Sequence, residues 1–150
     1  MTFLPRADEA LALLDAEDPL DGAPAPAPPG FMLDARAPSA RAIDRAVVRA
    51  KGIHDMRRRR ERLFGACEAL FRDPAWDIML DLFIQTSAGH SVCVTSAAIA
   101  SRMPQTTGLR WVRQLARCGL VRTVPDPCDA RRAHLQLTDK AVATMVELLG

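Results

Sequence analysis

The spacing of apolar residues predicts a long helix in the first half of the chain. Apolar positions recur at steps of three and four, the period of an α-helix with one buried face. They are Ile43, Val47, Ala50, Ile53, Met56, Leu63, Cys67 and Leu70. We expect this helix to run from about residue 42 to 71, with a weak point or kink at Gly52. A helix of roughly 30 residues is typical of a coiled coil or a dimer arm.

Shorter elements are predicted downstream. Asp73 and Pro74 favour the start of a helix, with Asp73 as its cap. Its expected core positions are Trp76, Ile78, Met79, Leu82 and Phe83. Residues 90–94 alternate like a short strand, and Thr95 is predicted to cap the next helix, residues 95–103. Pro104 then interrupts the chain.

The remaining pattern predicts a helix, a hairpin and a last helix. The helix runs from about Thr106 to Cys118, and its expected buried stripe consists of Gly108, Trp111, Val112, Leu115 and Cys118. Strands at 120–124 and 133–137 flank a short turn, and Thr138 caps the final helix. Two helices joined by a turn and followed by a hairpin describe a winged helix-turn-helix. The predicted fold class is therefore mainly α with a small β-hairpin (α+β), preceded by a long N-terminal dimerisation helix.

Composition sets the first 41 residues apart. The segment Asp21–Gly30 alternates proline with alanine and indicates an extended linker. Before it, Ala7–Ala16 has helical composition but is shorter than the ~12 to 15 residues that hold an isolated helix. It is either a frayed tail or an acidic arm that docks on a basic domain. We expect a flexible acidic arm and linker at 1–41, the dimerisation helix at 42–72 and a DNA-binding domain at 73–150.

Charge is divided unevenly along the chain. Residues 1–40 contain two arginines and seven acidic residues, whereas residues 41–150 contain 18 basic and 11 acidic residues. An acidic arm joined to a basic domain suits nucleic-acid binding. The basic part includes the run Met56–Arg62, which forms either a solvated face, a phosphate contact or ion pairs with acids such as Glu61, Asp77 and Asp81. We expect Arg60 to fall on the apolar side of the helix.

Candidate DNA contacts lie in the helix-turn-helix. Arginine and short hydroxyl or amide side chains near a helix N-terminus read base edges and hold phosphates in the major groove. The predicted DNA-binding residues here are Thr95, Ser96, Gln105, Thr106, Leu109, Arg110 and Arg113. Gln114 and Arg117 complete the face that we expect to be exposed. Amphipathic helices with exposed arginines are common, so this face alone does not establish DNA binding.

The hairpin DPCDARRAHLQLT, Asp126 to Thr138, is the second candidate site. Asp126 and Asp129 are predicted to shape the turn by pairing with arginine. Arg131 and Arg132 are predicted to contact the DNA backbone and minor groove. His134 is expected to face solvent or lie near a phosphate. An ordinary solvated β-turn is the alternative.

The pattern GLVRTVPDPCDARRAHLQLTDK resembles the wing of the multiple antibiotic resistance regulator (MarR) family. The matching residues are Gly119, Leu120, Val121, Asp126, Asp129, Arg131, Leu135, Leu137 and Thr138. The resemblance covers roughly residues 42–150. It implies a homodimeric winged-helix transcription factor that binds a pseudopalindromic site in double-stranded DNA. The recognition helix would enter the major groove, and the wing arginine would enter the minor groove.

The chain departs from this family pattern in several places. Cys128 replaces the first wing arginine, which predicts a weaker grip by the wing. The closing glycine is absent after Asp139 and Lys140, and the turn before the recognition helix is shorter. Long C-terminal helices do not follow the wing, so we expect residues 42–71 to carry most of the dimer contact. A small-molecule effector pocket would then be incomplete, and effector binding is left open.

The cysteines and histidines do not predict a metal site. Zinc ligands usually come in close pairs, and these residues are scattered. Cys67, Cys93 and Cys118 lie in apolar patterns and are expected to be small buried hydrophobes. Cys128 lies in a turn and is either an inert surface thiol or, less favoured, a redox sensor. No metal or other cofactor is expected.

Catalysis and membrane insertion are not predicted. The sequence has no nucleophile elbow, metal-ligand cluster or phosphate-binding glycine loop. No apolar run approaches the ~20 residues that span a bilayer. Acidic residues interrupt the apolar start of the chain, which argues against a signal peptide and favours a cytoplasmic protein. The main rival to DNA binding is a winged-helix module that binds another protein.

Overall fold

The structure is a computed structural model that describes residues 37–126, 129 and 132–150, and it confirms the predicted order of elements. The described helices are α1 (Ala40–Phe64), α2 (Pro74–Ser87), α3 (Val94–Ala100), α4 (Gln105–Arg117) and α5 (Asp139–Leu149), with a 3-10 helix (Gly65–Phe71) after α1. The described strands are β1 (Val92–Cys93), β2 (Val121–Pro125) and β3 (Ala133–Leu137). The N-terminal arm predicted at 1–41 falls largely outside the described residues.

A small antiparallel sheet completes the winged-helix fold. β2 and β3 form a hairpin in which Val121 lies opposite Leu137. β1 pairs with the other edge of β3, with Val92 opposite Leu135. Alternate residues of β3 are buried, as expected for a strand with one face on the core. The α+β class predicted from the sequence is thereby confirmed.

The core is built around α2. This helix packs against α1, α3, α4, β1 and β3. Ile78, Leu80 and Leu82 have no exposed surface, and Phe83 is almost completely buried. Trp76 is only partly buried, whereas Leu80 and Asp77 join the buried set without having been predicted. A helix surrounded on several sides buries more than the single apolar stripe seen in its sequence.

Two of the three predicted N-cap residues, Asp73 and Thr138, are confirmed. Asp73 Oδ1 accepts a hydrogen bond from the backbone N–H of Trp76 at 3.3 Å, and Pro74 is the first residue of α2. Thr138 Oγ1 accepts from the backbone N–H of Ala141 at 3.2 Å. The cap predicted at Thr95 is wrong, because α3 begins at Val94 and Thr95 lies inside its first turn.

The long first helix differs from its prediction in length. α1 continues through Gly52 without a break but ends at Phe64, since Gly65 has a φ of 47° and the 3-10 helix follows. Its most deeply buried apolar side chains are small. Ala46 and Ala50 are completely buried where α1 packs against α2 and α5.

The predicted apolar face does not stay buried along its whole length. Ile43, Val47 and Ile53 pack against the core. Met56, Leu63 and Leu70 are instead largely exposed. Cys67 and Cys118 are exposed as well, so the prediction that they are buried is wrong, and Cys93 is half-buried. Beyond Ile53, the buried residue of α1 among those that the structure describes is Arg57, not an apolar one.

A buried ion pair joins α1 to α2. Arg57 Nε donates to Asp77 Oδ1 at 2.6 Å, and both side chains are almost fully buried. This hydrogen bond raises the pKa of Arg57 above its ordinary value, although burial opposes the shift. The predicted pairing of the arginine run with Asp77 is therefore confirmed, but the buried member is Arg57. Arg60 is half-buried; its Nη2 donates to the carbonyl oxygen of Phe71 at 2.6 Å.

We expect Asp77→Ala to lower the free energy of unfolding by about 3 kcal/mol, because Arg57 would be left buried without its counter-charge. Urea denaturation followed by circular dichroism measures this loss. Asp81→Ala, a partly exposed acid on the same helix, is the matched control and should change stability by less than ~0.5 kcal/mol. Replacing the pair together, Arg57→Met with Asp77→Leu, should recover most of the loss. A double variant as unstable as Asp77→Ala would contradict this explanation.

Candidate nucleic-acid interface

The turn between α3 and α4 is held by a buried serine. Ser101 has no exposed surface, and its hydroxyl donates to the carbonyl oxygen of Ala98. Ser101 Oγ also accepts a hydrogen bond from the backbone N–H of Met103 at 3.2 Å. Arg102, between them, has a φ of 56°. The hydroxyl thus links the last turn of α3 to the backbone of Met103.

Close contact at Gly108 fixes how α4 crosses α3. A Cβ atom at this position would overlap the backbone oxygen of Ala98 and crowd Ser101 Oγ. Only glycine lets the two helices approach this closely. The crossing also sets the rotation of α4 about its own axis, and so decides which of its side chains reach the surface.

α4 presents a polar face away from this crossing. Thr106, Arg110 and Arg117 are exposed, and Arg113 is half-buried between them. Steps of four, three and four residues place these four side chains on one side of a helix. Gln105 is exposed at the first position of α4, and Gln114 is half-buried. We call Thr106, Arg110, Arg113 and Arg117 the polar stripe; the three arginines concentrate positive charge on this side of α4.

Arg113 differs from its neighbours in its surroundings. Its Nε is buried and has no hydrogen-bond partner among the residues that the structure describes. Burying a donor of a charged group without a partner costs free energy.

Three predicted positions on α4 are wrong. Leu109 was expected on the exposed face, but its side chain is only 7% exposed and belongs to the core. Trp111 was expected to be buried, but it is 38% exposed, and Cys118 is exposed too. The buried stripe is Gly108, Leu109, Val112 and Leu115. The contact with α3 turns the helix by about one position relative to the sequence-based face.

The two candidates on α3 lie in its first turn. Ser96 is exposed and Thr95 is half-buried. Because α3 precedes the turn into α4, both residues lie in the helix-turn-helix, although their contact with DNA remains a prediction.

Hydrogen bonds close the described part of the hairpin loop. The backbone N–H of Asp126 donates to the carbonyl oxygen of Arg132 at 3.0 Å, and the N–H of Arg132 donates to that of Asp129 at 2.9 Å. Arg132 Nε and Asp129 Oδ2 lie 3.7 Å apart on the surface. The pairing predicted between Asp129 and an arginine is confirmed in this form. Cys128 and Arg131 lie outside the described residues, so their roles stay predictions.

His134 has a structural contact that the sequence did not indicate. Its Nε2 lies 2.9 Å from Asp126 Oδ2, and its Nδ1 lies 4.0 Å from Cys93 Sγ. The ring is half-buried, so the expectation that it faces solvent is wrong. His134 connects the base of the wing to β1. Asp126 lies in the same hairpin, eight residues away, whereas Cys93 comes from a distant part of the chain, 41 residues away. Alternation along β3 did not indicate either contact.

The helix-turn-helix is also tied to the basic run of α1. Arg102, in the turn, forms an ion pair with Glu61, and both side chains are mostly buried. Glu61 was expected to pair with arginines of its own run, but its partner comes from the turn. This contact places the end of α1 beside the turn that leads into α4.

In the part of the chain that the structure describes, no three metal-ligating side chains converge on one point. None of the described helices combines the length and the apolar character needed to cross a membrane.

No family profile and no curated protein matches the chain. Two solved structures are similar to part of it. The PcaV transcriptional regulator from Streptomyces coelicolor, solved with its natural ligand, is 25% identical over 51% of this chain and 53% of PcaV, with a TM-score of 0.41. The heme sensor protein PefR, solved with heme and carbon monoxide, is 18% identical over 66% of this chain and 64% of PefR, also with a TM-score of 0.41. The chain thus spans about half the length of PcaV. Similarities this low assign neither family nor function.

Two glycines provide a test of the helix crossing. We expect Gly108→Ala to destabilise the fold by roughly 2 kcal/mol, because the added methyl group meets backbone rather than a movable side chain. Gly52→Ala is the matched control, since open space surrounds that position in α1. It should stabilise the fold by about 0.5 to 1 kcal/mol. Thermal unfolding of both variants distinguishes the two effects, and an equal shift in both would contradict the proposed crossing.

Proposed function

We propose that this chain is a MarR-like winged-helix transcriptional regulator of the cytoplasm that binds specific double-stranded DNA sites as a homodimer. The observation that carries the proposal is the polar stripe on α4. Thr106, Arg110, Arg113 and Arg117 share one side of a helix whose opposite side is fixed against α3 at Gly108. A rigid helix that displays arginine and hydroxyl groups matches the chemistry of major-groove readout.

The hairpin supports the same proposal. It follows α4 directly, and its described loop residues include Arg132 on the surface. The contact between His134 and Asp126 stiffens the base of this loop. We propose that Arg131 and Arg132 contact the backbone and minor groove beside the site read by α4. Thr95, Ser96 and Gln105 are proposed as further contacts near the first turns of α3 and α4.

Dimerisation is proposed through residues 42–72, chiefly the first half of α1. Its inner face already packs on α2 and α5, so a second copy must use the outer face. Val48 is 71% exposed there, and Leu148 of the adjoining α5 is also largely exposed. In a two-fold symmetric dimer, Val48 and Leu148 of one copy would lie near the same residues of the other copy. Burial in this contact would remove these apolar side chains from water.

A second function has one observation in its favour. Trp111 on α4 and Ile99 on α3 are both exposed, and large apolar side chains on a surface are typical of protein contacts. A winged-helix module that binds an acidic protein would use these residues together with the arginines of α4. DNA is favoured because the polar stripe combines three arginines with the hydroxyl of Thr106 near the start of α4.

For DNA binding, we expect Arg110→Ala to weaken binding to the preferred fragment by ~1 to 3 kcal/mol while leaving binding to random DNA less affected. Arg131→Ala should instead weaken binding to all sequences to a similar degree. Fluorescence anisotropy at physiological salt measures both, using fragments from the region upstream of the coding sequence. Arg41→Ala, an exposed arginine at the start of α1, controls for the lost charge. If no fragment binds better than random DNA, the protein-binding function replaces this proposal.

For the dimer, Val48→Glu is expected to shift the chain towards monomer, because a carboxylate would be buried against its own copy. Sedimentation velocity across a range of protein concentrations measures the shift. Ile99→Glu introduces the same side chain at an exposed apolar position on α3 and should leave the oligomeric state unchanged. A dimer that survives Val48→Glu as well would show that the contact lies elsewhere.

A further inference from the structure

The end of α1 and the following 3-10 helix carry an unusual surface. Exposed arginines alternate there with exposed apolar side chains. We name this surface the basic-apolar patch; it consists of Met56, Arg58, Arg59, Arg62, Leu63 and Leu70. Leu63 is 73% exposed and Leu70 is 82% exposed. Apolar side chains this open are typical of a surface that another molecule covers.

The arginines of the patch differ from their neighbours in the same run. Arg57 pairs with Asp77, and Arg60 binds the carbonyl oxygen of Phe71. By contrast, Arg58, Arg59 and Arg62 are exposed and make no hydrogen bond or ion pair with any described residue. Spacings of three and four residues put Met56, Arg59 and Leu63 on one side of α1. A partner for this surface must therefore be both acidic and apolar.

We propose that residues 7–21 of the same chain bind the basic-apolar patch. Their sequence, ADEALALLDAEDPLD, contains six acidic residues and no basic residue. It also contains four leucines, Leu11, Leu13, Leu14 and Leu20. Carboxylates and leucines at short intervals are the chemical complement of arginines and leucines at short intervals.

The length of the connecting chain agrees with this assignment. Met56 to Leu63 lie ~24 to 35 Å along the axis from the start of α1, at ~1.5 Å per helical residue. Residues 22–39 connect the acidic segment to α1, and eighteen residues extended at ~3.1 Å each reach ~55 Å. The proline-rich linker is long enough to return the segment along the helix. Because the contact is intramolecular, the effective concentration of the segment is high.

Other occupants fit the patch less well. A second copy of the chain would bring the same arginines against themselves across a two-fold axis, and like charges repel. DNA offers phosphates to Arg58, Arg59 and Arg62 but no apolar surface for Leu63 or Leu70 along its backbone. Residues 7–21 offer both carboxylates for the arginines and leucines for the apolar side chains. They also belong to the same chain as the patch, so every molecule carries one such segment.

Native cysteines allow a direct test in the intact chain. Cys67 is exposed in the 3-10 helix, between Leu63 and Leu70 in sequence, whereas Cys118 is exposed at the end of α4. The rate of alkylation by iodoacetamide at each thiol is measured by peptide mass spectrometry. We expect Cys67 to react several-fold more slowly than Cys118 at low salt. High salt should remove part of this difference, because it screens the ionic contacts.

Variants in the acidic segment identify what covers the thiol. Leu11→Ser with Leu14→Ser should raise the rate at Cys67 to that at Cys118. Phe31→Ser with Leu33→Ser makes the same kind of change outside residues 7–21 and should leave the protection in place. A charge exchange, Glu17→Lys and Asp18→Lys, should remove protection, and adding Arg59→Glu and Arg62→Glu should restore it.

Two results would overturn this assignment. One is a Cys67 that reacts as fast as Cys118 in the unaltered chain at low salt. The other is protection that survives Leu11→Ser with Leu14→Ser and grows with protein concentration, which would mean that a second copy covers the patch. Neither measurement involves DNA, so a failure here leaves the proposed regulator function untouched, and the converse also holds.

Discussion

The buried ion pair between Arg57 and Asp77 determines how the rest of the molecule is arranged around α1. In a low-dielectric interior neither charge is tolerated alone, so the pair fixes the rotation of α1 against α2. That rotation turns Arg60 and Glu61 towards the protein, where each finds a partner. The same rotation leaves the remaining arginines of the run outside. The run of four arginines is thereby divided: Arg57 and Arg60 bind groups of the protein, whereas Arg58 and Arg59 are exposed.

A second constraint acts on α4. The close approach at Gly108 fixes the rotation of α4 about its own axis, and the polar stripe lies on the side of α4 that faces away from α3. The ion pair of Arg102 with Glu61 connects the two constraints, because it joins the turn before α4 to the end of α1. The candidate DNA surface is therefore rigid on both sides, as recognition of a fixed groove geometry requires.

The protein has two cationic surfaces of different chemistry. The stripe on α4 combines arginine with hydroxyl and amide groups, which suits base edges and phosphates. The basic-apolar patch combines arginine with leucine and methionine, which suits an acidic, leucine-rich peptide. Net charge alone does not separate them; the neighbouring uncharged side chains do. The first forty positions contain seven acidic residues against two arginines, and so balance part of this charge.

The sequence by itself determined the element order, the α+β class and the caps at Asp73 and Thr138, because periodicity and capping depend on neighbours a few positions away. It also placed the candidate arginines of α4 on one face. Only the tertiary structure decided that Arg57 is the buried arginine, that Leu109 belongs to the core while Trp111 is exposed, and that His134 meets Asp126 and Cys93. These outcomes depend on which helix or strand packs against each residue. Apolar residues that recur every three or four positions show that a helix has a buried face. The angle and distance at which a neighbouring element packs decide where that buried face begins and ends.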